Sequence, residues 1–351
     1  MRLLELGPLD PLRSQTTYHA IAAGVSAGAP PTLSLLWPDR PYVSIGRHRS
    51  LDELDLEECR RSGLAVIRRQ IGGGPVYLDD GQLFFQVTLP VGSAPAGVEA
   101  SYRALLAPAV EAFRRLGVAA SLVPPNDICV DGRKLSGTGM ARIGDALICV
   151  GNVIFEFDYE AMVRVLALDA PMRRGFGALQ RRYLTTLRSE LGREVPRAEA
   201  SAALIGAYAE AFGELVPGTL TRYEERARDR LDVLFASPAW RSGGDLGPGD
   251  LVRQAKVRGG ARMFDVRIER GSADLRATFS VVDGRLEAVE FASLALSARV
   301  RQALARAICG VAAERDVLLR AAREAMRAVT GPFRPEDIVE CIMRSERGRL
   351  T

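Results

Sequence analysis

Lysine is almost absent from this 351-residue sequence. Of its 47 basic residues, only Lys134 and Lys256 are lysines, and the other 45 are arginines. Arginine and lysine serve almost equally well on a solvated surface, but they differ where a compact ammonium group must approach a reacting oxygen or an acyl group. The scarcity excludes a lysine-rich surface and directs attention to the two lysines that remain.

Histidine and paired cysteines are scarce as well. Only His19 and His48 are present, which leaves little material for a histidine-rich metal centre or a histidine-based catalytic dyad. The five cysteines are odd in number, widely scattered and without C-x-x-C spacing. This pattern argues against a disulfide framework and against a zinc site. Small buried apolar residues are the simplest interpretation of these cysteines.

Long apolar runs are also missing. No stretch reaches the length of a membrane span, and the N-terminal residues lack the pattern of a secretory signal, so we expect a cytoplasmic protein without a membrane partner. The sequence is 47% hydrophobic and 26% charged, as is usual for a globular protein. The net charge of +4 is spread over arginines interleaved with carboxylates. We therefore expect no nucleic-acid partner, and an anionic small molecule or an acidic protein fits the charge better.

The length predicts two domains. Short apolar runs bounded by turn residues, such as 83–90 and 147–157, predict strands, and the alanine-rich segment 99–116 has helical spacing. Strands flanking a few helices predict an α+β fold with a mixed sheet. A Gly/Pro-rich segment marks the predicted boundary, so we expect a catalytic domain over residues 1–244 and a small α+β accessory domain over residues 245–351.

The predicted accessory domain has its own pattern. Three strands are expected, at residues 257–269, 273–282 and 285–291, with a tight turn at Asp283-Gly284. Two amphipathic helices are expected at residues 298–312 and 314–329. This pattern predicts a small meander followed by a helical segment.

A run of three glycines carries the first functional signal. The segment reads Arg68-Arg69-Gln70-Ile71-Gly72-Gly73-Gly74-Pro75-Val76-Tyr77. Three successive residues without Cβ allow backbone N–H groups to approach an anion, and the paired arginines supply forked donors for phosphate or carboxylate oxygens. The segment matches neither a P-loop nor a dinucleotide fingerprint. It predicts a cradle for a nucleotide phosphate or an acyl phosphate, with an ordinary glycine-rich turn between strands as the alternative.

The second signal surrounds Lys134. Asp127 and Lys134 flank an Asp-Gly pair at 131–132, which is typical of a tight hairpin turn, so the two side chains are expected to lie near one another on adjacent strands. An ammonium group there would neutralise charge on an acyl-adenylate, while the carboxylate would help to hold magnesium or the nucleotide. The small residues Ser136 and Gly137 would let the backbone approach a ligand.

Together the two motifs resemble those of lipoate-protein ligases, in the biotin/lipoate protein ligase superfamily. The resemblance rests on Arg-Arg-x-x-Gly-Gly-Gly-x-Val-aromatic at 68–77, followed by Asn-Asp-Ile from Asn126 and Gly-Arg-Lys-x-Ser-Gly from Gly132. It extends over residues 30–245 and includes a closing element that ends at Trp240. The C-terminal residues carry no diagnostic motif.

The resemblance implies a two-step reaction in a catalytic domain with the fold of biotin ligases. Lipoate attacks the α-phosphate of ATP to give lipoyl-adenylate and pyrophosphate. A lysine of an apo lipoyl carrier domain then attacks the mixed anhydride and releases AMP. ATP is thus implied as co-substrate, Mg²⁺ as the metal and lipoate as the substrate. The implied carriers are a 2-oxoacid dehydrogenase lipoyl domain or a glycine-cleavage-type carrier, and we expect a monomeric enzyme.

The resemblance also implies roles for individual residues. Arg69 matches the adenylate-contacting arginine of the family, and Lys134 matches the lysine that contacts both the lipoyl carbonyl and the phosphate. Asp127 falls at the acidic position that faces the incoming lysine or the metal. We therefore predict Lys134 and Asp127 as catalytic residues, with Asp127 also at the metal. The predicted nucleotide contacts are Arg69, Gly72, Gly73, Gly74, Pro75, Val76, Tyr77, Lys134, Ser136 and Gly137.

Two departures from the family pattern leave alternatives open. Leu78 stands directly before Asp79, and Cys149-Val150 stands in the strand after the lysine segment, where the family usually has histidines. An ATP-independent octanoyl or lipoyl transferase with a cysteine nucleophile is the first alternative. A weakly catalytic scaffold that binds a carrier is the second. Because no histidine lies near Cys149 in the sequence to act as its base, a packed strand cysteine is the simpler interpretation.

Overall fold

The computed structural model describes residues 1–242, 252–270, 273–327 and 332–347. The predicted domain boundary at residue 244 and its Gly/Pro-rich segment lie outside the described residues. Helices and strands are both present, and the fold is α+β as predicted. No helix in the described ranges is long and apolar enough to cross a membrane.

The chain forms two compact units. The first comprises Met1–Ala167 and Arg181–Leu246, and the second comprises Leu168–Gln180 and Gly247–Thr351. Residues 168–180 therefore group with the C-terminal part of the chain, although they precede the predicted boundary. The second unit is consequently discontinuous in sequence.

Twelve strands lie in the described part of the first unit. They are β1 (Arg2–Leu9), β2 (Thr32–Pro38), β3 (Tyr42–Ile45), β4 (Ala65–Arg68), β5 (Val76–Leu78), β6 (Gln82–Pro90), β7 (Ser121–Val123), β8 (Asp127–Val130), β9 (Arg133–Ser136), β10 (Thr138–Ile143), β11 (Ala146–Ile154) and β12 (Val216–Pro217). The helices up to the boundary are α1 (Pro11–Ser26), α2 (Leu56–Arg61), α3 (Val98–Arg115), α4 (Tyr159–Arg164), α5 (Ala170–Tyr183), α6 (Leu187–Leu191), α7 (Arg197–Phe212), α8 (Arg222–Ala236) and α9 (Pro238–Ser242). Of these helices, α5 contributes residues to both units.

A six-stranded mixed sheet forms the centre of the first unit, in the order β10-β11-β6-β2-β1-β12. Because alternate side chains of a strand point to opposite faces, each face has its own core. Leu33 and Phe85 pack with residues of α3 and α7 on one face. Leu4 and Ile148 pack with residues of α1 on the other face. Two smaller sheets, β4-β3-β5 and β7-β8-β9, carry the glycine motif and the lysine motif.

The second unit contains a four-stranded antiparallel meander and helices. Its remaining elements are β13 (Val252–Arg258), β14 (Ala261–Arg270), β15 (Ala273–Val282), β16 (Arg285–Ala292), α10 (Ala298–Ile308), α11 (Arg315–Ala325) and α12 (Pro335–Arg347). The predicted hairpin turn is confirmed, with φ of 47° at Asp283 and 80° at Gly284. The prediction of one strand across residues 257–269 is wrong, because the glycines at 259–260 separate β13 from β14.

Candidate functional site

A tight hairpin brings the two predicted catalytic residues together. The turn between β8 and β9 has φ of 47° at Asp131 and 74° at Gly132, the left-handed conformation that a two-residue hairpin turn requires. Lys134 Nζ lies 2.7 Å from a carboxylate oxygen of Asp127. Only 16% of the Lys134 side chain and 3% of the Asp127 side chain are exposed, so the ion pair is largely shielded from water. The predicted proximity of these two residues is confirmed.

The segment that follows α5 holds the backbone of the lysine strand. The Thr185 N–H donates a hydrogen bond of 2.9 Å to the Lys134 carbonyl. Beside this contact, the guanidinium of Arg133 donates to Glu190 at 3.1 Å, and the Thr185 hydroxyl donates to the same carboxylate. Lys134 therefore projects from a strand that is fixed on its outer edge.

The small residues after Lys134 face a buried amide. The Gly137 N–H donates to Asn152 Oδ1 at 2.7 Å, and the Asn152 N–H donates to the Ser136 hydroxyl at 3.3 Å. Ser136 is fully buried, and Asn152 is 9% exposed. In the structure these polar groups of Ser136 and Gly137 support one another through Asn152, and the contact of Ser136 and Gly137 with a nucleotide stays a prediction.

The three glycines form a loop between β4 and β5. Gly73 has φ of 99°, where a Cβ would be strained. A Cβ on Gly46, which follows β3, would lie 2.1 Å from the Gly73 carbonyl oxygen, so the loop packs directly on bare backbone. Gly72 and Gly73 are exposed. The loop therefore presents its main chain to solvent at the position predicted for a nucleotide.

The guanidinium of Arg69 braces this glycine loop. It donates hydrogen bonds to the carbonyls of Ser44 at 2.9 Å, Gly72 at 2.9 Å and Gly74 at 2.8 Å. Burial lowers the pKa of Arg69 to about 10, so the group still carries its charge at neutral pH. Arg69 thus holds a positive charge against the loop, and its contact with an adenylate stays a prediction.

Arg68 has a structural role. It is 1% exposed, and its guanidinium donates to the carbonyls of Gly46 at 3.0 Å, Arg49 at 2.7 Å and Arg241 at 2.9 Å. The indole N–H of Trp240 in turn donates to the Arg68 carbonyl at 2.9 Å. In this structure the donors of both arginines are directed at main-chain carbonyls, so the expectation that the pair offers free forked donors to an anion is wrong for both, and Arg69 contributes its charge at the loop.

The residues that follow the three glycines, Pro75 to Tyr77, are partly or fully buried. Pro75 and Val76 are partly buried, and Tyr77 is 8% exposed. Burial raises the pKa of Tyr77 to about 12, so its hydroxyl stays neutral. The backbone N–H of Tyr77 faces the sulfur of Met162 at 3.2 Å. These residues close the loop against α4, and their predicted nucleotide contacts are not tested by this geometry.

The lysine motif and the glycine motif meet above the six-stranded sheet. A Cβ on Gly139, in β10, would lie 2.7 Å from a methyl carbon of Ile71, the residue before the three glycines. Ile71 is 5% exposed and packs with Tyr18 and Ile148 in the core on that face. Gly139 therefore permits the strand after the lysine hairpin to pack against the start of the glycine loop.

The cysteines are poorly placed for nucleophilic chemistry. All five lie in the described part of the chain, where Cys59, Cys129, Cys149 and Cys341 are buried. Cys149 is 1% exposed within the sheet core, and burial raises the pKa of its thiol to about 12. Cys309 is exposed but belongs to the second unit. The interpretation of Cys149 as a packed strand cysteine is confirmed.

The two histidines and Leu78 do not supply a base to this site. His19 is 6% exposed, and burial lowers its pKa to about 3, so it is neutral. His48 is exposed in the turn after β3. Leu78, at a usual histidine position of the resembled family, packs in an apolar cluster with Tyr42 and Phe84. The site in the described residues therefore consists of backbone donors, Arg69 and the lysine–aspartate pair.

The site residues fit a magnesium ion only if it is bound through a single protein carboxylate, that of Asp127. Within the described ranges, no three His, Cys, Asp or Glu side chains come together as metal ligands. Magnesium commonly uses one or two protein carboxylates and takes its other ligands from water and substrate phosphates. Asp127 supplies one such carboxylate, and its role at the metal stays a prediction.

Sequence reasoning missed the amides behind the lysine loop. Asn152 Nδ2 donates to Gln82 Oε1 at 2.7 Å, and Gln82 Nε2 donates towards Asp79 Oδ1 at 3.4 Å. Burial raises the pKa of Asp79 to about 6. A polar amide within an otherwise apolar strand, as Asn152 is within β11, was the signal available in the sequence.

The glycine loop packs against β10, which directly follows the hairpin of Asp127 and Lys134, and backbone donors beside an ammonium group are suited to the activation or transfer of an acyl group. The lipoyl protein ligase A/B catalytic domain model matches residues 10–209. The chain belongs to this family, and it is therefore an enzyme of the group that contains lipoate ligases and octanoyltransferases. This result confirms the resemblance found in the sequence.

Relatives within the family divide between two activities. The chain is 30% identical to the octanoyltransferase LipM of Symbiobacterium thermophilum, over 68% of this chain and 97% of LipM. It is 31% identical to the lipoate-protein ligase LplJ of Bacillus subtilis, over 38% of this chain and 39% of LplJ. Among solved structures, the bipartite lipoate protein ligase of Thermoplasma acidophilum is 25% identical, with a TM-score of 0.64 over 72% of this chain and 98% of that one.

Proposed function

We propose that this protein is a lipoate-protein ligase, which activates lipoate with ATP and transfers the lipoyl group to a lysine of a carrier domain. Such a reaction needs cationic groups and N–H donors around a carboxylate and an α-phosphate, and it needs little covalent participation by the protein. The glycine loop, Arg69 and Lys134 are groups of this kind.

In the first step, the lipoate carboxylate oxygen attacks the α-phosphorus of ATP, and the bond to pyrophosphate breaks. The Lys134 ammonium would stabilise negative charge shared by the acyl carbonyl and the phosphate, while Asp127 holds Nζ in place. Bound Mg²⁺ would neutralise phosphate charge, with Asp127 as the available carboxylate. In the second step, the neutral amine of the carrier lysine attacks the acyl carbonyl, the bond between the acyl carbon and the AMP oxygen breaks, and the amine loses a proton to solvent as the amide forms.

The burial of the cysteines is the observation that favours an adenylate mechanism over a cysteine-dependent transferase. A cysteine-dependent transferase needs a thiolate within reach of an acyl donor. Cys149 is instead 1% exposed, with its thiol pKa raised to about 12, so less than one part in ~10⁴ is thiolate at neutral pH. No other cysteine of the first unit is exposed. An adenylate mechanism does not need such a thiol.

ATP-independent octanoyl transfer is the second candidate, because the S. thermophilum LipM matches over 97% of its length. The same comparison leaves about a third of this chain unmatched. The T. acidophilum ligase was analysed with its E2 lipoyl domain, and we propose a lipoyl domain of this type, or a glycine-cleavage-type carrier, as the acceptor for this enzyme.

Mass spectrometry of an apo lipoyl domain distinguishes the two reactions. The domain is incubated with the full chain and free lipoate, with and without ATP and magnesium, and in parallel with an octanoyl thioester of acyl carrier protein. We expect a lipoyl mass increase that requires ATP and is unchanged in Cys149→Ala. Acylation from the thioester without ATP, lost in Cys149→Ala, would establish the transferase instead.

A further inference from the structure

Two buried amides connect the lysine loop to the centre of the six-stranded sheet. Asn152 lies in β11, and Gln82 lies in the neighbouring β6, opposite Ile154. Since residues two apart on a strand share a face, the side chains of Asn152 and Gln82 meet on the same side of the sheet. Gln82 is 1% exposed, so this contact between β6 and β11 is shielded from water.

The ends of this chain of hydrogen bonds determine the orientation of both amides. The Gly137 N–H can only donate, so the oxygen of Asn152 must face it and Nδ2 must face Gln82. Gln82 therefore accepts through Oε1 and presents Nε2 to the Tyr77 carbonyl at 3.3 Å and to Asp79. Both of these partners accept hydrogen bonds. If the amide of Asn152 or of Gln82 were rotated by 180°, its nitrogen would face a donor and its oxygen would face an acceptor.

The series of hydrogen bonds ends at the Gly137 N–H, which lies close to the Lys134 side chain. A Cβ on Gly137 would lie 3.9 Å from Lys134 Cε and 3.5 Å from Asn152 Oδ1. The lysine stem therefore passes close to Gly137, whose N–H is held by Asn152. Asp127 fixes only the end of the lysine, at Nζ.

We propose that Gln82 and Asn152 are positioning residues for Lys134, because together they fix the Ser136-Gly137 backbone over which the lysine side chain passes. Only the expected effect on catalysis rests on the proposed ligase function. The restraint on Gly137 is a property of the fold and is measurable without any substrate.

The test compares two near-isosteric variants on the same strand. Gln82→Glu retains an acceptor for Asn152 but places a carboxylate oxygen against the Tyr77 carbonyl and Asp79. Gln86→Glu is the matched control, since Gln86 is 2% exposed in β6 and accepts from the Ser34 hydroxyl at 3.1 Å, away from the lysine loop. Both variants bury a carboxylate in the same strand, so they share the general cost of charge burial.

Amide hydrogen exchange of the intact protein is the first measurement. We expect exchange in a peptide covering residues 134–139 to become about 5- to 10-fold faster in Gln82→Glu and to stay unchanged in Gln86→Glu, as for the loss of one hydrogen-bonded restraint. Asn152→Ala, which removes the acceptor of the Gly137 N–H, should give the same local effect. If Gln82→Glu does not fold, the exchange rate in Asn152→Ala tests the positioning role in its place.

The second measurement is the rate of lipoyl-adenylate formation. We expect Gln82→Glu to lower kcat by about 100-fold while KM for ATP changes little, because a misplaced reacting group costs rate more than binding. Equal exchange at 134–139 in both glutamate variants and the wild type would overturn the proposal. A wild-type protein that forms no adenylate would refute the ligase function, and the exchange comparison would still decide the positioning role.

Discussion

Lys134 is held by a short ion pair with Asp127, and its alkyl chain passes close to Gly137, where a Cβ would lie 3.9 Å from Cε. A planar guanidinium is wider, so it cannot occupy the same space with its charge at the Nζ position. Lys134→Arg should therefore lower the rate of adenylate formation by about 100- to 1,000-fold. The matched control is Lys256→Arg, at an exposed position of β13.

Single-turnover formation of lipoyl-adenylate from lipoate and ATP is the measurement for this pair of variants. Thermal unfolding of both variants checks that the fold is retained. If Lys134→Arg adenylates at the wild-type rate, Lys134 has no part in the first step.

Asp79 gives the stability of the protein a definite pH dependence. Burial raises its pKa from 3.8 to about 6, and the carboxylates of Asp80 and Asp158 nearby act in the same direction. The folded state therefore favours the protonated form. The stabilising contribution of Asp79 is complete below about pH 4 and is lost as the pH rises through about 6.

Asp79→Asn should remove this dependence. Relative to the variant, the free energy of unfolding of the wild type should fall by up to about 3 kcal/mol between pH 4 and pH 7. Urea unfolding of both proteins across this range measures the difference. A difference that stays flat or increases with pH would show that Asp79 is not the responsible group.

At the scale of single elements, the glycine loop depends on a glycine outside its own motif. A Cβ at Gly46 would lie 2.1 Å from the Gly73 carbonyl oxygen, far inside normal contact distance, so the loop would have to move. Gly46→Ala should weaken ATP binding by about tenfold or more, because overpacking displaces backbone. Gly92→Ala is the control, since a Cβ there meets nothing within 4 Å.

Calorimetric titration of ATP into both variants tests this prediction, with thermal unfolding as a measure of general damage. Equal ATP affinity in Gly46→Ala and Gly92→Ala would mean that the glycine loop does not bind the nucleotide or that it tolerates the displacement.

Sequence reasoning predicted those elements whose causes are local. Asp131-Gly132 and Asp283-Gly284 predicted two hairpins, because left-handed backbone at an Asp-Gly pair forms the turn without any distant partner. The proximity of Asp127 and Lys134 followed from the first hairpin.

Contacts that depend on sheet register could not be predicted in this way. Asn152 and Gln82 are 70 residues apart, and they meet only because β6 pairs with β11 in one particular alignment. The role of Arg68 depends similarly on carbonyls of Gly46 and Arg241, which tertiary structure brings to it. Burial of Cys149 was suggested by its apolar strand, but its pKa depends on the completed core.

At the scale of the whole molecule, the order of the chain does not follow the order of its compact units. Leu168–Gln180 belongs to the unit formed by the C-terminal residues. Asp169 pairs with Arg276, and a Cβ on Gly175 would lie 2.2 Å from the terminal methyl of Met263. Asp169 and the first part of α5 therefore contact the rest of the second unit, through an ion pair and through Met263.

This arrangement predicts that the protein can be divided without losing its structure. Two separate chains, residues 1–242 and 252–351, should associate when they are produced together, because the first retains the segment of α5 that completes the second unit. Gly175→Val in the first chain should reduce co-purification, since a side chain there meets the terminal methyl and sulfur of the buried Met263, which then has to shift. Ala178→Val, at an exposed position of the same helix, should leave it intact. If association survives Gly175→Val, other contacts hold the two chains together. If the unaltered chains do not associate, the covalent connection is needed to form the second unit.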